Sequence, residues 1–271
     1  MKRTHISTRY GFAWAYLACF VAVELTYTLL NPGAQARLIA WASTNVTNLE
    51  HEPAGPLVLS AFVTPGYVVV WPVLIALALF GANRALGNLR TALVCLAGHV
   101  IGSLVSEGIV AYRVDAGQLD VANRYLTDVG PSYVVVSAIV IALACGTWPA
   151  RALAALDLVI LVFPGHIFGG LSQLDVSAVG HLTAVLTAAA ATALILARRR
   201  RRQRPGRGSG GYVADGHADQ VGDRDSAGPQ DQLPHRAPPE RPVGQPGHHA
   251  PAGDRGDGGE PERDGQQMQA E

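Results

Sequence analysis

The sequence is poor in charge and almost without lysine. Only 15% of its 271 residues are Asp, Glu, Lys or Arg, against about 25% in a typical soluble domain. Mean hydropathy is +0.19. That composition excludes a soluble protein built around one core. Formal net charge is +0, and no basic face interleaved with aromatics occurs, which excludes nucleic acid as a partner. Cysteine is scarce as well. Cys19, Cys95 and Cys145 lie singly inside apolar runs, without CxxC spacing. A disulfide framework and a thiolate zinc site are thereby excluded, and the three read as small buried hydrophobes.

What is present falls into two chemistries. Residues 1–197 are strongly apolar with few charges, whereas residues 198–271 are rich in Arg, Asp, Gly, Pro, His and Gln. The basic total of 21 is one lysine, Lys2, and twenty arginines. Seven of these arginines form the run Arg198, Arg199, Arg200, Arg201, Arg202, Arg204 and Arg207. The acids that balance them lie mainly beyond Tyr212, among them Asp215, Asp219, Asp223, Asp225, Glu260 and Glu262. The run reads as a stop-transfer segment and lipid-headgroup anchor. The polar tail after it has too little apolar surface to offset ordering entropy, so it is expected to be disordered.

A helix needs roughly 20 apolar residues to cross a bilayer core of about 30 Å. Six runs approach that length, at about 11–30, 67–82, 91–111, 131–147, 152–168 and 176–197. The first is too long and too poorly flanked for a signal peptide. Positive charge then sets the topology. Lys2, Arg3, Arg9, Arg84, Arg90, Arg151 and the Arg198 run all fall on one side of a six-span chain. The opposite loops hold most of the acids: Glu50, Glu52, Asp115, Asp120, Asp128 and Asp175. The expected fold is an all-α integral membrane protein, a six-transmembrane-helix bundle with a disordered C-terminal tail. The expected location is the plasma (inner) membrane, multi-pass, with both termini cytoplasmic.

Polar residues inside the spans are costly there, so each needs a reason. Two lie at one depth in this topology. Ser132 opens the fourth span, in Asp128-Val129-Gly130-Pro131-Ser132-Tyr133, and His181 lies in the first two turns of the sixth. A serine and a histidine on neighbouring helices can act as nucleophile and base. The imidazole takes the hydroxyl proton and returns it to a leaving amine. Unpaired amides at a helix start can stabilise an oxyanion. The short fourth span sinks that start below the surface and admits water. His99, Ser103 and Glu107 recur every four residues in the third span, so they share one inward face. Glu24 and Asp157 read as paired or snorkelling acids. His166 is a rival base near the outer end of the fifth span.

Gly130-x-Ser132 at the start of the fourth helix, with His181 early in the sixth, resembles the rhomboid family of intramembrane serine proteases. The resemblance spans residues 11–197. The link Phe80-Gly81-Ala82-Asn83-Arg84-Ala85-Leu86-Gly87 is similar to the family's turn between its second and third helices. The resemblance implies a rhomboid-like six-helix core and a Ser-His dyad of Ser132 and His181, with no cofactor and no metal. It also implies an intramembrane serine endopeptidase that cleaves single-span membrane proteins. Ala184 and Ala188 stand where the family has small helix-packing residues. Several positions depart from the pattern. Tyr67 and Trp71 occupy the places of the second-helix His-x-x-x-Asn that helps form the oxyanion hole beside Gly130. Val136 stands where a tyrosine usually stacks on the histidine, Tyr133 where a small residue usually follows the serine, and Pro131 lacks an amide donor. Two alternatives therefore stay open. One is a catalytically inactive rhomboid-like protein binding transmembrane helices. The other is an unrelated six-helix transporter or scaffold working through His99, Glu107 and Asp157.

Overall fold

The computed structural model describes residues 9–66 and 69–203, the side chain of Gln203 excepted. The tail after residue 203 and Tyr67 lie outside the described residues. Apolar runs in lipid must satisfy their backbone groups internally, which favours helices. The described residues accordingly form helices and turns, with no strand among them. The principal helices are α1 (Gly11–Leu29), α5 (Val70–Leu86), α6 (Asn88–Asp115), α7 (Ser132–Cys145), α8 (Trp148–Val162) and α9 (Val176–Gln203). Among them α1, α6 and α9 are long and apolar enough to cross a membrane, while α5 and α7 are apolar but shorter.

Local chemistry sets several boundaries. After α1 the chain meets Asn31-Pro32, which starts a new helix. The Asn31 side chain accepts the Ala34 amide at 2.9 Å, and Pro32 occupies the first turn, where its missing N–H is no loss. The segment between the first and second apolar runs therefore holds three short helices, α2 (Pro32–Ala42), α3 (Val46–His51) and α4 (Ala54–Leu59). Asn45 caps α3 through the Asn48 amide at 2.9 Å. The fifth apolar run was expected to continue to Phe168, but α8 ends at Val162. Pro164 and Gly165 follow immediately, and proline cannot continue a helix. The helix in the second run begins at Val70 and continues to Leu86.

α7 occupies the middle, packed against α5, α6, α8 and α9, while α1 packs outside against α5 and α6. Nine residues of α7 are buried, from Tyr133 to Ala142. Close approach of α6 to α9 depends on small residues. A Cβ on Gly102 would lie 3.0 Å from the Gly180 carbonyl oxygen and 3.6 Å from the Ala184 Cβ. Ala184 and Ala188 are themselves fully buried.

Candidate functional site

The site is built where the segment before α7 meets the loop between α1 and α5. Gly130 has φ +136, a backbone conformation that favours glycine. Its amide donates to the Ser60 carbonyl at 2.7 Å. The bend this fixes decides where α7 begins, and hence which residue of its first turn faces α9. Further bonds bind the same two segments. The Thr44 amide and hydroxyl both donate to the Asp128 carbonyl, at 3.0 and 3.1 Å. The Thr44 hydroxyl also lies 3.1 Å from Asp128 Oδ2, and the Asp128 amide donates to Ser43 Oγ at 2.9 Å. Arg124 pairs with Glu50 and, at 3.2 Å, with Asp115.

Asp128 sits at the centre of this network. Burial pushes its carboxyl above the ordinary carboxylate value, hydrogen bonds from Thr44 and Tyr133 oppose the rise, and the charge of Asp175 adds to it. The Tyr133 hydroxyl donates to Asp128 Oδ2 at 3.2 Å.

The Tyr133 ring then reaches His181. The two rings meet edge to face with centroids 4.8 Å apart and planes at 80°. Gly180 makes the space: a Cβ there would fall 2.0 Å from the Tyr133 hydroxyl oxygen. The Phe168 ring also lies near the imidazole, with centroids 6.5 Å apart. His181 Nδ1 lies 3.3 Å from Ser177 Oγ, whereas its Nε2 is buried with no hydrogen-bond partner among the described residues.

Ser132 is placed differently. It is the first residue of α7 and is partly buried. Among the described residues its hydroxyl makes no hydrogen bond, to His181 or to anything else. Successive helical residues point about 100° apart, so Ser132 and Tyr133 cannot both face α9. A nucleophile must lie within hydrogen-bond reach of its base, about 2.6–3.2 Å and looser in a resting enzyme. Here the side chain of the first turn that rests against the imidazole is the Tyr133 ring. The rhomboid pattern has a tyrosine stacked on the histidine four residues after the serine. Tyr133 makes that contact, and four residues before it stands Val129.

The remaining expected residues are spread out. Gly130 spends its amide on Ser60. Trp71 is partly buried and lines a groove of about 520 Å³ with Val70, Leu74, Ile160, Leu161, Pro164 and Gly165. His166 is exposed, with φ 48, in the turn after α8. His99, Ser103 and Glu107 are all buried on the inner face of α6. The His99 Nε2 lies 2.9 Å from the Leu57 carbonyl oxygen and 3.2 Å from Ser60 Oγ. Glu24 accepts the Thr64 amide at 2.7 Å. Asp157, expected to be paired or snorkelling, is fully buried and its carboxylate has no partner among the described residues. No cluster of metal-ligating side chains occurs among the described residues.

The family model described as rhomboid-like protein matches residues 8–201. The chain belongs to the rhomboid-like family. It is therefore a rhomboid-type membrane protein, with its apolar helices in the lipid bilayer. Comparison with curated proteins and with solved structures finds no match. Sequence reasoning singled out Ser132 and passed over Tyr133, Asp128 and Thr44. A signal for Tyr133 was present: Tyr133 and Ser137 share one face of α7, and Gly98, Gly102 and Gly180 leave room for that face. A Cβ on Gly98 would fall 2.0 Å from Ser137 Oγ.

Proposed function

We propose that this rhomboid-like protein binds membrane-spanning helices without cleaving them. One observation carries the reading: the Tyr133 ring, and not the Ser132 hydroxyl, rests against His181. The groove beside Trp71, between α5 and α8, offers an apolar wall to a visiting helix. In this reading all six principal helices cross the plasma membrane and both termini are cytoplasmic. A cysteine at position 209 is then labelled only from the cytoplasmic side.

The test uses the full chain in bilayers with a fluorophosphonate probe. No labelling is expected at Ser132, while a photo-crosslinker at Trp71 captures a model single-span helix and one at Trp14 does not. Labelling that disappears in Ser132→Ala overturns the reading.

One observation favours the second reading, a Ser132–His181 protease of single-span substrates. Among the described residues His181 Nε2 is buried without a hydrogen-bond partner, so a base is available if Tyr133 leaves. In that case Ser132→Ala and His181→Ala each abolish both labelling and cleavage of a single-span substrate.

A further inference from the structure

The end of the bundle opposite the Tyr133–His181 contact carries a different arrangement. There the first turn of α6 and the last turns of α9 come together. Arg90 from α6 and Arg198, Arg199 and Arg202 from α9 surround a cavity of about 210 Å³, with Ile195 completing its wall. No acid lines it. Among the described residues the ion pairs involve only Arg124, so these four guanidinium groups have no carboxylate partner there. Arg199 is fixed in place by donating to the Leu86 carbonyl at 3.2 Å, the last residue of α5. Arg90 stands in the first turn of a 28-residue helix, where the helix dipole adds positive potential.

We infer that Arg90, Arg198, Arg199 and Arg202 form a binding site for the phosphodiester headgroup of an anionic phospholipid. Guanidinium groups suit phosphate because their planar forks donate two bonds at once. Four unneutralised cations converging from two helices call for an anionic occupant, and the neighbouring surface calls for an apolar one. Leu93 lies three residues beyond Arg90 and Leu194 four residues before Arg198, so each shares its arginine's helix face. Both are half-exposed, at 54% and 52%. A charged rim above an exposed apolar wall fits a headgroup with its acyl chains. A free phosphate has no use for that wall, and neither has the polar acidic tail of this chain.

The run supplies its own charge-matched control. Arg200 and Arg201 belong to the same stretch but do not line the cavity. The experiment is native mass spectrometry of the full chain in detergent, titrated with phosphatidylglycerol, with phosphatidylcholine, and with inorganic phosphate. Wild-type protein is expected to retain phosphatidylglycerol over phosphatidylcholine. Arg90→Gln/Arg198→Gln is expected to lose at least tenfold in phosphatidylglycerol affinity. Arg200→Gln/Arg201→Gln, with the same charge removed, stays within twofold of wild type. Truncation after Arg207 also leaves the affinity within twofold. If the first double variant fails to fold, Arg202→Gln against Arg201→Gln gives the same contrast.

Equal losses in the two double variants overturn the site in favour of diffuse charge attraction. Equal binding of the two lipids also overturns it. Inorganic phosphate held with the same dependence on Arg90 and Arg198, with phosphatidylglycerol not held, assigns the site to a free anion. A tenfold rise in lipid affinity on truncation assigns it to the tail.

Discussion

α1 and α7 are both apolar on every side, and they lie in opposite surroundings. α1 buries only Ala13, Tyr16, Phe20 and Glu24 of its 19 residues, and Leu25 and Leu29 are 59% and 79% exposed. α7 buries nine of its 14 residues and meets four other helices. A helix that is hydrophobic all round is suited to lipid and to a protein interior alike. Hydropathy therefore does not separate the peripheral helix from the central one. Two other features do. The four buried residues of α1 fall on one stripe, and its polar members both reach the loop before α5. Tyr16 donates to the Ala61 carbonyl at 2.6 Å, and Glu24 accepts the Thr64 amide. α7 is marked instead by the glycines of α6 and α9 that make room for it. Length differs as well. Fourteen residues rise about 21 Å, short of a bilayer core of about 30 Å, so α7 crosses with its ends sunk below the surfaces unless the layer thins around it.

The comparison is sharpest when one chemistry is changed in both helices. Ile139 on α7 is 1% exposed. Ile139→Ala is expected to cost about 2–5 kcal/mol, the range for emptying a packed site. Detergent-induced unfolding monitored by circular dichroism reads it. A loss under 1 kcal/mol would mean that α7 is loosely packed. Next in size is Gly180→Ala. The new Cβ would overlap the Tyr133 ring, with its Cζ at 2.3 Å and Cε1 at 2.9 Å. Tyr133 is held by Asp128 and buried, so the ring cannot withdraw freely. Overpacking of this kind costs typically about 1–3 kcal/mol, against a gain of about 1 kcal/mol in helix propensity. Unchanged stability would show that Tyr133 moves away from His181 easily, which strengthens the protease reading.

Much of this fold can be read from the sequence because lipid leaves the backbone few choices. Apolar runs become helices, and Asn31-Pro32 and Pro164-Gly165 mark ends by side-chain chemistry that acts locally. The inward face of His99, Ser103 and Glu107 follows from spacing by four. The candidate site was legible only in part. Gly130 precedes α7, and Ser132 and His181 stand near the start of their helices, but which side chain faces His181 depends on a single residue of helical phase. That phase is set by Gly130 bonding to Ser60, seventy residues away in sequence, and by Thr44 gripping Asp128. Local spacing carries no trace of either contact. The departure noted at Val136 has the same origin. The stacking tyrosine is present at Tyr133, three residues earlier than the serine-based count places it.

Asp128 tests the polar end of α7 with a smaller effect. Its carboxyl is raised mainly by burial, so the folded protein favours the protonated form. An unfolded aspartate titrates near about 3.9. The contribution of Asp128 to stability is therefore greatest below that value and declines as pH rises through the elevated folded value. Asp128→Asn keeps an acceptor for Thr44 and carries no charge. It is expected to be more stable than wild type at neutral pH, where the wild-type carboxylate bears the cost of burial. The advantage vanishes as pH falls below about 4. Thermal unfolding of both proteins across that range isolates the group, because the other titrating residues are shared. A constant difference at all pH values would place its origin in packing and not in charge.

The smallest effect belongs to α1. Leu25 follows Glu24 directly, yet it points away from the inner stripe and is 59% exposed. In a bilayer its side chain meets lipid tails in the folded bundle. It meets the same tails when α1 is detached, because helix association in lipid lacks the hydrophobic drive it has in water. Leu25→Ala then removes contacts that cancel between the two states, and a change within about 0.5 kcal/mol is expected, as for an ordinary surface position. The same unfolding assay used for Ile139→Ala measures it, so the two losses can be set side by side. A loss of 2 kcal/mol or more at Leu25 would mean that this face of α1 is covered by protein, most simply by a second copy of the chain. The effect would then depend on protein concentration, since association stabilises by mass action. A small loss at every concentration leaves α1 as the lipid-facing helix and α7 as the enclosed one.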